Sequence, residues 1–178
     1  MIRRLHVLLL MSCATGPTTA PPGKPAAALA ALARDYWRWQ LRERPEEATT
    51  LGAHRYDDRL TDLSEEARTR RKGEVRAMQA RILRIDREAL RGEDRVSWEV
   101  LRIELDQLLG WDDHGLYRWN VDQMYGPQVS FGELAQNFHP RRTETDRQNL
   151  RKRYAAFSTY IDQYIANLRS GLQRGAAA

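Results

Sequence analysis

An all-α fold, an irregular helical bundle, is what this 178-residue sequence predicts, and three observations carry the prediction. Leu150, Tyr154, Phe157, Ile161, Tyr164, Leu168 and Leu172 recur by threes and fours, the period of one helix face. Val75, Met78, Ile82 and Ile85 repeat the same step earlier in the chain. No stretch alternates apolar and polar residues as a half-buried strand does, and no internal repeat is found. With 42% hydrophobic residues and five tryptophans the chain is too apolar to be disordered. Its length suits one domain, or part of a larger one.

Each helix has its own signals. Ala26 to Arg44 is rich in Ala, Leu, Trp and Arg and stops at Pro45, which cannot continue a helix. Pro45 can instead open a short second helix, with Glu46 and Glu47 against its positive end and Gly52 beyond its far end. Residues 56–62 read as a polar loop, and Ser64 as the N-cap of a helix with Glu65 and Glu66 in its first turn. Gly92 precedes a helix carrying Trp98, Leu101, Leu105 and Leu108; Val96, Val100 and Ile103 are expected to widen that face and make this helix the most buried. Ser130-Phe131-Gly132-Glu133 has capping-box spacing and is expected to start a short helix. Thr143 to Asp146 caps the last one, and residues 26–174 form the helical domain.

The amino terminus reads as an address. Arg3 and Arg4 precede an apolar run from Leu5 to Met11, interrupted by His6, and then Ser12-Cys13. A charged start, a short apolar stretch and a small residue at the cleavage point make a secretory signal, too short to span a bilayer. Residues 1–12 resemble a lipoprotein signal, with Cys13 the residue acylated after cleavage. Pro, Gly and Thr fill residues 13–25, a composition that forms a tether and no core. The expected location is the cell envelope, held to the membrane by a lipid on Cys13 and facing the periplasm or exterior. Residues 175–178 are expected to be a disordered tail.

Little in the chain suggests chemistry. A single Cys excludes an internal disulfide framework and a zinc site of several thiolates. The net charge of +5 rests on arginines interspersed with acids, only Lys24, Lys72 and Lys152 being lysines, so no nucleic-acid partner is expected. His54, His114 and His139 lie in charged loops without a His-Glu-x-x-His spacing, and no metal ligand is assigned. No Gly-rich phosphate loop or Gly-x-Ser-x-Gly elbow occurs, and no catalytic residue is assigned. The unusual stretch is 116–131, where Trp119, Asn120, Asp122, Gln123 and Tyr125 mix rings, amides and an acid beside Gly126-Pro127. Such a mixture lines a pocket or partner surface, and equally glues a loop to a bundle.

Three ordered blocks resemble one family. Pro45-Glu46-Glu47-Ala48-Thr49, Leu51-Gly52 and Tyr56 to Ser64 form the first. Trp119 to Met124 with Gly126-Pro127-Gln128 form the second. Tyr160-Ile161-Asp162, Ile165 to Arg169 and Gly171-Leu172 form the third. Together they resemble the bacterial family called domain of unknown function 885. The resemblance implies a longer, mostly helical, exported protein and a zinc-dependent, peptidase-like hydrolase whose carboxy-terminal part carries a His-Glu…Pro-Gly-His-His segment. That segment is not in this chain, so zinc is implied only for full-length members and no ligand carries over.

The expectation is therefore a truncated family member, inactive by itself, whose last helix awaits the missing carboxy-terminal half or a second copy. The competing reading is a self-sufficient envelope lipoprotein, a helical binding module that uses the Trp119–Pro127 stretch. A third, an enzyme built from His54, His114, His139 and scattered carboxylates, has the least support.

Overall fold

Pro25 opens the first helix, α1 (Lys24–Glu43), in the first turn, where its missing N–H costs nothing. The helix thus begins two residues before the expected Ala26. In a computed structural model of the chain, residues 23–175 except Asn120, Asp122 and Tyr125 are described. The signal, Cys13, most of the tether and residues 176–178 lie outside them. The chain continues through α2 (Pro45–Thr50), α3 (Glu65–Ile82), α4 (Gly92–Asp113), α5 (Pro127–Glu133) and α6 (Glu144–Gln173). Short 3-10 turns stand at His54–Tyr56, Arg87–Ala89 and Leu116–Arg118, and a π turn at Leu134–Phe138 extends α5. The described residues contain no strand, so the fold is all-α. None of their helices is long and apolar enough to cross a membrane.

Local chemistry sets the boundaries. Ser64 caps α3 by accepting the Ala67 N–H at 3.2 Å. Thr143 and Asp146 form a reciprocal capping box on α6. The expected box at Ser130 is not the start of its helix: α5 begins earlier, with Pro127 after Gly126, and Ser130 sits inside it. Proline at the first helical position, with its φ preset, takes precedence over the downstream Ser/Glu spacing.

Three helices, α1, α3 and α4, make the core. Leu29, Leu32 and Trp39 meet Val75, Met78 and Ile82, and Trp98, Leu101 and Leu105 close the cluster. Both buried indoles keep a partner: Trp98 Nε1 donates to the Ile82 carbonyl at 3.1 Å and Trp39 Nε1 to Glu74 at 2.6 Å. The expected widening of the α4 face is not found. Val96 and Val100 are 62% and 60% exposed, and Ile103 also faces solvent. A helix turns about 100° per residue, which sets these three opposite Trp98, Leu101 and Leu105. The α4 helix therefore has one buried side and one bare apolar side.

The last helix is seated differently from its apolar stripe. Its only buried residues are Arg153 and Gly171, five turns apart on one side. Phe157, Tyr160, Tyr164 and Asn167 lie between them on that same side. Relative to the stripe read from the sequence, the true seam is rotated by roughly a residue. Tyr154, Ile165 and Leu172 are left exposed, the last at 65%. Three attachments hold the helix. Arg153 enters a polar node near its start. In the middle, Gln163 accepts the Leu63 N–H at 2.8 Å and donates to Asp62 at 2.9 Å, while Asn167 donates to the Leu63 carbonyl at 3.2 Å. Near its end, Gly171 lets the backbone pass Arg118, whose carbonyl oxygen would lie 3.1 Å from any added Cβ.

Candidate functional site: a buried arginine node beside an aromatic and acidic cavity

Arg153 is the largest fully buried side chain, with 0% exposure. An arginine in that position must have every donor met, because an unpaired buried charge costs several kcal/mol (~3–5). Each of its three nitrogens has at least one acceptor here. Nε donates to the Arg59 carbonyl at 2.9 Å, and Nη2 lies 3.1 Å from the Pro45 carbonyl and 3.3 Å from that of Tyr56. Nη2 also donates to Thr49 Oγ1 at 2.7 Å, and Nη1 to His139 Nδ1 at 3.0 Å. Asp57, itself buried, stands 3.9 Å away as counter-charge. Thr49 Oγ1 donates a hydrogen bond to Asp57 Oδ1 at 2.5 Å, so the hydroxyl bridges guanidinium and carboxylate. Burial pushes the Arg153 pKa down and Asp57 pushes it back up; a guanidinium stays charged under both.

The two histidines beside the node are occupied. His54 Nδ1 reaches Asp57 Oδ2 at 3.0 Å. His139 accepts from Arg153 through Nδ1 and donates from Nε2 to the Asp146 carbonyl at 2.9 Å. Among the described residues no three His, Cys, Asp or Glu side chains converge as a metal set. The zinc implied by the family resemblance does not fit these residues. The node ties α2, the loop at 54–59 and the π turn to α6.

A cavity of about 600 Å³ lies on the other side of α2, between α4 and α6. Its walls carry the rings of Trp111, Phe131, Tyr160 and Tyr164 and the carboxylates of Glu46, Glu47 and Glu104. The Pro45 turn and its acidic first turn place Glu46, which accepts the Thr61 N–H at 2.8 Å and the Thr61 hydroxyl at 2.6 Å. Tyr36 donates to Glu104 at 3.3 Å. Arg44 is the cation in the wall, and it is paired with Glu47 at 3.3 Å. The rings run in a series, with Phe131 stacked on Phe157 at 4.1 Å and Tyr160 edge-on to Tyr164 at 5.7 Å. Burial and the charge of Glu46 push the Tyr160 phenol well above its ordinary pKa. This cavity has the volume and the ring-and-acid lining of a small-ligand site.

Of the residues singled out in the 116–131 stretch, two are described. Trp119 is half-buried and Gln123 exposed, and neither lines this cavity. Asn120, Asp122 and Tyr125 lie outside the described residues, as does Cys13. Arg153 was legible only as a charge within the last helix's apolar stretch. Glu104 was legible only as an acid flanked by Ile103 and Leu105.

The described residues thus form an all-α bundle with a buried polar node and an open cavity. The chain belongs to the family described as bacterial protein of unknown function (DUF885), whose model matches residues 45–178. Comparison with curated proteins and with solved structures returns no match. The matched region starts at Pro45, yet α1 ahead of it supplies Leu29, Leu32 and Trp39 to the core.

Proposed function

We propose that this chain is the amino-terminal helical lobe of an exported, lipid-anchored member of the family, serving as one wall of a peptidase-like hydrolase cleft. The observation that carries the reading is the bare apolar side of α4. Val96, Val100 and Ile103 are exposed, and Val100 continues the helix side on which Glu104 and Trp111 line the cavity. Ile165 and Leu172 add exposed apolar area on α6. Exposed apolar residues grouped on one helix side are the mark of a surface that another folded segment covers. In this reading the lobe shapes the cleft, and the metal-binding residues belong to the covering segment. The lipid on Cys13 would hold the assembly to the membrane.

The test is to purify the chain from residue 24 onward and measure binding of an apolar dye and sedimentation over a range of concentrations. Dye binding with concentration-dependent association is expected. A dye-silent monomer at every concentration, melting cooperatively, overturns the reading and favours the self-sufficient binding module. Anchoring is tested separately: Cys13→Ser should move the full-length protein from the membrane fraction to the soluble one.

A further inference from the structure

Glu46 and Glu104 line the same cavity, and among the described residues neither is paired with a cation within 4.0 Å. Arg44, the basic side chain of the wall, is already spent on Glu47. The cavity therefore holds two carboxylates without an ion-pair partner of their own, beside four aromatic rings. Ring faces carry negative potential, and a cation held over them while facing a carboxylate gains from both. An anion would meet repulsion from the same groups. A neutral apolar ligand would fill the ring surface and leave the carboxylates facing nothing.

We propose that this cavity is a binding site for an organic cation, an alkylammonium group carried on an apolar stem. The stem lies against Trp111, Phe131 and Tyr164, and the ammonium sits between Glu46 and Glu104. The volume of about 600 Å³ exceeds what a bare inorganic cation needs and accommodates a four- or five-carbon amine together with part of whatever bears it. Glu46 is pre-oriented by its two bonds from Thr61 and Glu104 by its bond from Tyr36, so neither carboxylate has to be ordered on binding. A free amine and the side chain of a peptide lysine share this chemistry. The proposal stands without any covering segment and so does not depend on the cleft-wall reading.

The experiment follows the assigned indole N–H signal of Trp111 by NMR during titration with four probes. These are n-butylammonium, Nα-acetyl-lysine amide, its uncharged counterpart Nα-acetyl-norleucine amide, and butyrate. Both amines should shift the signal and saturate, with norleucine amide weaker by about fivefold or more and butyrate silent. Stronger binding of the lysine amide than of butylammonium assigns the site to a peptide side chain, and the reverse assigns it to a free amine. Equal binding of lysine and norleucine amides, or no saturable shift with either amine, overturns the proposal. Glu104→Gln keeps an acceptor for Tyr36 and should weaken the amines about fivefold or more without changing norleucine amide. Should that variant misfold, the unaltered protein still decides: raising NaCl from about 0.05 M to 0.5 M must weaken amine binding and leave norleucine amide unaffected.

Discussion

Arg153 donates from Nη1 to Nδ1 of His139 at 3.0 Å, and this bond settles the state of the histidine. A guanidinium has no acceptor, so Nδ1 must present its lone pair and the proton must sit on Nε2, which donates to the Asp146 carbonyl. One arginine thereby links the first block of the family-like sequence, through Pro45, Thr49 and Tyr56, to the start of the last helix.

Removing that arginine should be among the most damaging single changes in the chain. Arg153→Met leaves Asp57 buried without its counter-charge and is expected to cost about 3–5 kcal/mol in urea unfolding. Arg153→Lys keeps the charge but has three donors on a point-like ammonium and cannot meet the same set of acceptors. A loss of at least about 2 kcal/mol is expected. A loss below about 1 kcal/mol for either variant would contradict the keystone role.

Two glycines provide a matched contrast. Gly73 in α3 has nothing within 4 Å of an added Cβ, so Gly73→Ala should stabilise by roughly 0.5–1 kcal/mol through helix propensity. Gly171→Ala gains the same propensity but drives a Cβ to 3.1 Å from the Arg118 carbonyl oxygen. It should fall short of Gly73→Ala, and thermal melts of the two variants side by side measure the difference.

The two sides of α4 should answer mutation oppositely. Leu105→Ala opens a cavity in the core and should cost about 2–5 kcal/mol. Val100→Ala, on the bare side, should stay within about 0.5 kcal/mol in the isolated chain. Equal costs would mean that the bare side is covered in solution.

Acid should loosen the molecule from its carboxylates. Burial alone would raise the Glu43 carboxyl, but hydrogen bonds from Arg70 and Arg42 outweigh it and hold Glu43 below its ordinary value. Asp146 is lowered first by the Thr143 backbone N–H of the capping box. Both groups are depressed in the folded state, so their contribution is complete above the unfolded carboxylate range, near pH 4, and is lost as pH falls through the lower folded values. The share of stability that these two carboxylates carry should be level above about pH 5 and fall below about pH 4. Glu43→Gln should flatten part of that fall.

Much of the helical layout was legible because its signals are local. Ser64, the Thr143 box, Pro45 and the Val75/Met78/Ile82 face act within a turn or two of themselves. What escaped depends on distant chain. Which side of α4 is covered is decided by where α1 and α3 lie, and apolar character on both sides cannot reveal that. The seam of α6 follows its polar anchors, because Arg153 and the Gln163–Leu63 bonds fix the helix's rotation more strictly than a broad apolar stripe does. The cavity draws its walls from four helices and the loop between α2 and α3, and no single stretch of sequence contains it.

The way α6 is fastened sets how it comes loose. Its anchors are an arginine, an amide pair and a close backbone passage, and no apolar side chain of the helix is fully buried. Heat-capacity change and denaturant slope both scale with the apolar and total surface newly wetted. Lifting α6 off the bundle wets its half-buried rings and their partner Phe131 but leaves the α1–α3–α4 core closed, so that opening should depend on urea and temperature less steeply than global unfolding. Opening the α1–α3–α4 core should show the steep dependence of a global event. Amide exchange along residues 144–173 would then separate from that of the core as urea is added, with α6 releasing as one cooperative unit of its own.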